Sequence, residues 1–229
     1  MQFTKIFAAA NWKDALGEVV LIVIGVTIAL AANSWYEDRQ ERRDEVLVLR
    51  QLQLALKIDV EELESRFTTV KKLERDIIRL LEHMESDSPY SPELVGNIRS
   101  VRMWVGVRSN TAPYEALKSR GFDLVSDDRL RLKLIFYYEN QFPSLYESYI
   151  NDREFARVNI VPYFLASFRA TTSNTWVPID YQTLRSDSYF RNLCLSKLSR
   201  LQEFILPNYE KSLSMIRDIL SEIESEITQ

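Results

Sequence analysis

The sequence predicts an all-α protein: one N-terminal transmembrane helix continuing into a long helix of an antiparallel helical bundle. Three observations carry this. The 229 residues include only 5 Gly and 7 Pro, against roughly 16 and 11 at ordinary usage, so the turn residues that strand-rich folds need are scarce. An uncharged apolar run extends from Val19 to Ala32, and beyond it apolar residues recur at steps of three and four. With 46% hydrophobic residues, the chain is long and apolar enough to bury a core.

The pattern divides the chain into an interfacial segment over 1–14, a transmembrane helix over 15–35 and a helical bundle domain over 36–229. The run from Val19 to Ala32 covers only about 21 Å as a helix, but extension from Ala15 to Trp35 gives about 31 Å, matching a hydrocarbon core of roughly 30 Å. Glu18 then lies near one interface, and Trp12, Trp35 and Tyr36 are the expected interface anchors, since amphipathic rings settle at headgroup depth. Phe3, Ile6, Phe7 and Ala10 share one side of the preceding segment, which suits a short helix lying in the interface. A cleaved signal is the rival reading, but the apolar run leads without a break into a helical pattern. Lys5 and Lys13 precede the span, whereas Arg39, Arg42, Arg43 and Arg50 follow it. By the positive-inside rule, this count alone puts the large domain in the cytoplasm.

Between Gly25 and Pro89 there is neither Gly nor Pro, and Leu49, Leu52, Leu56, Val60, Leu63, Phe67, Val70, Leu73, Ile77, Leu80 and Met84 mark one face of a long helix. The stretch "ESDSPYSPE" ends it, and a second helix is expected from about Pro92 to about Val107. "YEALKSRG" reads as a short helix stopped by Gly121, and the next helix restarts with Ser126 or Asp127 as N-cap. A further helix is expected from about Ser144 to Phe168, with Pro162 bending it or ending it early. The irregular stretch "TTSNTWVPIDYQTLRSDS" suits a short strand pair or a binding loop. A terminal helix follows, marked by Phe190, Cys194, Leu198, Leu201, Ile205, Tyr209, Leu213, Ile216, Leu220, Ile223 and Ile227 and kinked at Pro207. It and the first helix are long enough to lie antiparallel.

No motif for catalysis, a cofactor or a metal is present, and no catalytic, cofactor-binding or metal residue is assigned. His83 is the only histidine and reads as an ordinary helix-end residue; Cys194, the only cysteine, reads as a small core residue. The carboxylate pairs Glu61 with Glu62 and Glu222 with Glu226 lie on faces that look solvated. The net charge of −4 comes with alternating signs and no basic stripe, so nucleic acid is not an expected partner. The aromatic residues from Phe136 to Phe168 read as bundle core, with an apolar ligand pocket as the sharper alternative.

Within the span, Gly25, Ala29 and Ala32 stand at i, i+4 and i+7. Small residues on one face let another helix approach closely, and Asn33 can add a hydrogen bond near the interface. The stretch "LGEVVLIVIGVTIALAANSWYEDRQERR" resembles the start of an uncharacterised bacterial membrane-protein family that reads approximately "IGEIxLVxIGIxIALxxNNWNExRK". Gly17, Glu18, Gly25, Ala29, Leu30, Asn33, Trp35, Glu37 and Arg39 fall on that pattern. A second block, "APYEALKSRGFDLVSDDRLRLKLIFYYE", is similar to the family's "xTYEELKSSGxLxLIxxxxLRxxLixYY" through Tyr114, Glu115, Leu117, Lys118, Ser119, Gly121, Leu130, Arg131, Leu134 and Tyr138. Ala32, Ser34, Tyr36 and Arg120 depart from it. The resemblance implies a single-pass bacterial inner-membrane protein with its C-terminal domain periplasmic, opposite to the local charge count, and it implies no activity. The function expected is a non-enzymatic interaction or accessory subunit, whose partners are the bilayer and either itself or a larger membrane complex. A ligand-binding domain working with a separate signalling protein is the alternative, ahead of an enzyme.

Overall fold

The computed structural model describes residues 12–86, 88–172 and 175–228, with backbone only over 12–16. The expected interfacial helix over the first eleven residues, and the side chain of the anchor Trp12, lie outside the described residues. The chain separates into two compact units, 1–47 and 48–229.

Within the described part of the first unit there is only helix, the leading portion of α1 (Trp12–Glu85). Its apolar window has a mean hydropathy of 2.0, and none of it is buried. Val20 is 47% and Leu21 71% exposed, with Val19, Ile22, Val23, Ile24, Val26, Ile28 and Leu30 in between. A core helix of a soluble protein would hide such side chains, so α1 is instead long and apolar enough here to cross a membrane.

Among its described residues, the second unit is all-α apart from one small hairpin. From Leu49 to Met84, α1 buries a stripe that alternates steps of three and four, including Leu52, Leu56, Leu63, Val70, Leu73, Ile77 and Leu80. Its partner is the C-terminal helical run, α8 (Ser188–Arg200) and α9 (Leu206–Thr228). Ion pairs Glu64–Arg217, Lys71–Glu210 and Glu85–Arg191, with the Gln202–Glu74 hydrogen bond, ascend one helix while descending the other, so the two are antiparallel. A second run, α4 (Asp128–Phe136), α5 (Phe142–Phe155) and α6 (Val161–Ser167), pairs antiparallel with the same C-terminal run through Lys133 with Glu222, Gln141 with Ser212 and Asp152 with Lys197. It follows that α1 and α4–α6 run in the same direction.

Between α1 and α4 lie α2 (Leu94–Arg102) and α3 (Ala112–Arg120). The second helix stops five residues short of the expected Val107, because the chain after it is pulled straight against α1. Buried Asp59 accepts the Ser109 hydroxyl at 2.5 Å and the Asn110 N–H at 3.0 Å, and the Arg66 guanidinium donates to the Gly106 carbonyl. Such contacts satisfy backbone groups that a helix would otherwise pair. Gly121 ends α3 at φ 108°, a conformation that only glycine adopts without strain, and Asp127 caps α4 by accepting the Arg129 and Leu130 N–H groups.

The helix expected to begin at Ser144 is already running at Asp128, and Pro162 neither breaks nor ends it early. Three π turns, Tyr137–Gln141, Ala156–Ile160 and Leu201–Ile205, each finish two residues before Pro143, Pro162 and Pro207. At each, the residue before the proline donates five residues back: Phe142 to Tyr137, Val161 to Ala156 and Leu206 to Leu201. The wider turn makes room for a ring that would otherwise strike a carbonyl in the preceding turn. Of the strand pair or binding loop expected after Ala170, a strand pair is present as β1 (Phe168–Ala170) and β2 (Trp176–Pro178), antiparallel with Phe168 opposite Pro178, and it starts before the irregular stretch. Asp180 then caps α7 (Tyr181–Ser186).

Candidate functional site

Two regions place polar chemistry against apolar surface: the N-terminal part of α1, and the seam between α4–α6 and α8–α9. In the first, Gly25, Ala29 and Ala32 are exposed, and a side chain built at Gly25 would meet nothing within 4 Å. Thr27 returns its hydroxyl to the Val23 carbonyl at 2.8 Å, leaving no unpaired donor on the apolar stretch. Asn33 donates one amide hydrogen to Glu37 at 2.7 Å within its own helix. Trp35 and Tyr36 are 62% and 64% exposed, and the Arg39 guanidinium lies 5.2 Å from the Trp35 ring centre. This groups an aromatic ring with a cation at one end of the apolar stretch.

In the second region, buried polar groups cross the seam. Lys197 is fully buried, and its ammonium donates to both carboxylate oxygens of Asp152, at 2.6 and 2.5 Å. Burial pushes the lysine below its ordinary range, and the adjacent Asp152 opposes that shift. Gln141, at the end of the first π turn, donates to the Ser212 hydroxyl at 3.1 Å, with both residues buried. Elsewhere in the unit, desolvation raises the Asp59 carboxyl although Ser109 and Asn110 donate to it. None of these residues was singled out by the sequence. The available signal was a charged or amide residue standing on an apolar stripe, as Lys197 does between Cys194 and Leu201, and the periodicity favoured its neighbour Leu198, which is only half-buried.

The titratable residues that were singled out have structural surroundings. The His83 ring lies 3.1 Å from the Pro89 carbonyl beyond the end of α1. Cys194 is buried, and its thiol is pushed up to about 12 by desolvation, far from a reactive thiolate. Glu62 is paired with Arg66, and Glu222 is partly buried between Arg129 and Lys133 rather than solvated. Among the described residues, no group of three His, Cys, Asp or Glu is arranged to hold a metal. Of the ten aromatic residues from Phe136 to Phe168, Tyr137, Tyr138, Phe164 and Phe168 are buried, Phe142, Tyr149, Phe155 and Tyr163 are half-buried against the core, and Phe136 and Tyr146 are exposed; Phe164 stacks on Phe168 at 4.2 Å.

No curated protein and no solved structure matches the chain. The block from Tyr114 to Tyr138 lies beyond the family match, which covers α1 from Glu18 onward. Residues 18–90 match the model of a family of unknown function, DUF6090, in agreement with the resemblance of the Gly17 to Arg43 stretch to an uncharacterised family.

Proposed function

We propose that this protein is a membrane-anchored interaction or accessory subunit, whose N-terminal helix spans the bacterial inner membrane and whose bundle domain works in the periplasm as part of, or scaffold for, a membrane complex. The observation that carries the reading is the apolar window of α1, none of which is buried among the described residues. A bilayer covers such a surface, and a second helix packs on it best where Gly25, Ala29 and Ala32 lower its profile. A Cβ added at Gly25 meets none of the described residues within 4 Å, which gives the test its sharpness. The protein should resist carbonate extraction, and a reporter active only in the periplasm should be active when fused after Gln229. Gly25→Leu with Ala29→Leu should insert normally but lose the proteins that co-purify in mild detergent. Recovery of a soluble chain removes the anchor, and unchanged co-purification removes the helix face from the interaction.

A further inference from the structure

Halfway along the seam between α5 and the C-terminal run lies a groove of about 310 Å³, in the size range of small-ligand pockets. Glu147 and Asn151 of α5 face Arg200, Phe204, Ile205 and Asn208, so one wall is built on a π turn, an irregularity frequent at functional sites. The groove carries one cation and one anion. Neither Arg200 nor Glu147 makes an ion pair with any described residue, although they line the same cavity. Opposite charges on two different helices, with no ion pair between them, leave room for a molecule that carries both. Arg200 is also held in place, its guanidinium stacked 4.3 Å from the Phe155 ring centre, which limits the side-chain freedom lost on binding. The Asn151 and Asn208 amides make no hydrogen bond to any described residue, so they add free donors and acceptors. Phe204, 57% exposed, and buried Ile205 supply an apolar surface.

We propose that this groove binds a small zwitterion of amino-acid or dipeptide size, with its carboxylate on the Arg200 guanidinium, its ammonium on Glu147 and its side chain against Phe204. A planar guanidinium matches a carboxylate through two parallel N–H bonds, which a lysine in the same place would not. The inference stands apart from the interaction reading, since either holds without the other.

The test is the thermal unfolding of the full chain in detergent, with L-leucine, L-glutamine and the dipeptide Ala-Leu as probes. At about a hundred times Kd, the best of the three should raise Tm by about 5 °C or more. Leucinamide, which lacks the carboxylate, should give no shift. Arg200→Met keeps an apolar contact with Phe155 and should abolish the response; Glu147→Gln, at an exposed position, should cut it at least tenfold in affinity and decides the matter if the first variant does not fold. No shift with any of the three probes, an equal shift with leucinamide, or a response unchanged in Glu147→Gln each overturns the proposal.

Discussion

Lys197 has no exposed surface, and among the described residues its ammonium is satisfied by Asp152 alone. A buried charge that loses its partner is far more costly than a pair that was never built, because its desolvation then goes uncompensated. Asp152→Ala should therefore destabilise the protein by about 3–5 kcal/mol, whereas Asp152→Leu combined with Lys197→Met should recover most of that loss. Equilibrium urea unfolding reads both, and equal loss in the single and double variants would mean that packing, not charge, is what Asp152 contributes. At this scale the sequence was only partly legible. An N-cap announced itself at Ser126 or Asp127, of which Asp127 serves, and a helix stop at Gly121, because each meets a local backbone requirement. Lys197 and Asp152 did not, because their meaning depends on a contact between residues 45 positions apart.

The helices themselves carry a second periodicity. Steps alternating between three and four, as along α1, keep an apolar stripe on one face of a straight helix. Along the C-terminal run, however, the buried residues Lys197, Leu201, Ile205, Tyr209 and Leu213 advance by four each time, as do Asp152, Ala156, Ile160 and Phe164 in the other run. Steps of four would carry the stripe around an α-helix by about 40° each. The π turn inside each series absorbs the extra residue and returns the stripe to the seam. The helix runs on through Pro143, Pro162 and Pro207, and the expectation of a helix ended early at Pro162 failed because it weighed the ring without the turn before it. Deleting exposed Glu203 should convert the third π turn to α-helix and set Pro207 against the preceding turn, costing about 3 kcal/mol. The same deletion with Pro207→Ala should restore most of the stability in urea unfolding. Failure of the alanine to rescue would show that the turn serves some other constraint.

For the molecule as a whole, buried apolar residues are found from Val48 onward and none among the described side chains before it, so the core belongs to the bundle. A fragment of residues 36–229 should fold cooperatively and give a predominantly helical circular dichroism spectrum without detergent; a disordered spectrum would place part of the folding energy in the apolar helix. The direction of packing is set less by strength than by pattern. The exposed pairs between α1 and the C-terminal run are each worth about 1 kcal/mol or less, but they align only when the helices are antiparallel. The all-α class, the long first helix and the antiparallel pairing were legible in composition and periodicity. The straight segment after α2 was not, because Asp59 and Arg66, which hold it, lie some 40 to 50 positions away. The π turns have one more consequence. Each is a single added residue that a helix has taken in without turning its buried face away, so it records a length change that the fold tolerates. Descendants of a common ancestor can then differ by one residue in the middle of a helix, paired with the gain or loss of a proline two positions later. An alignment that forbids gaps inside helices would slip out of register at those places.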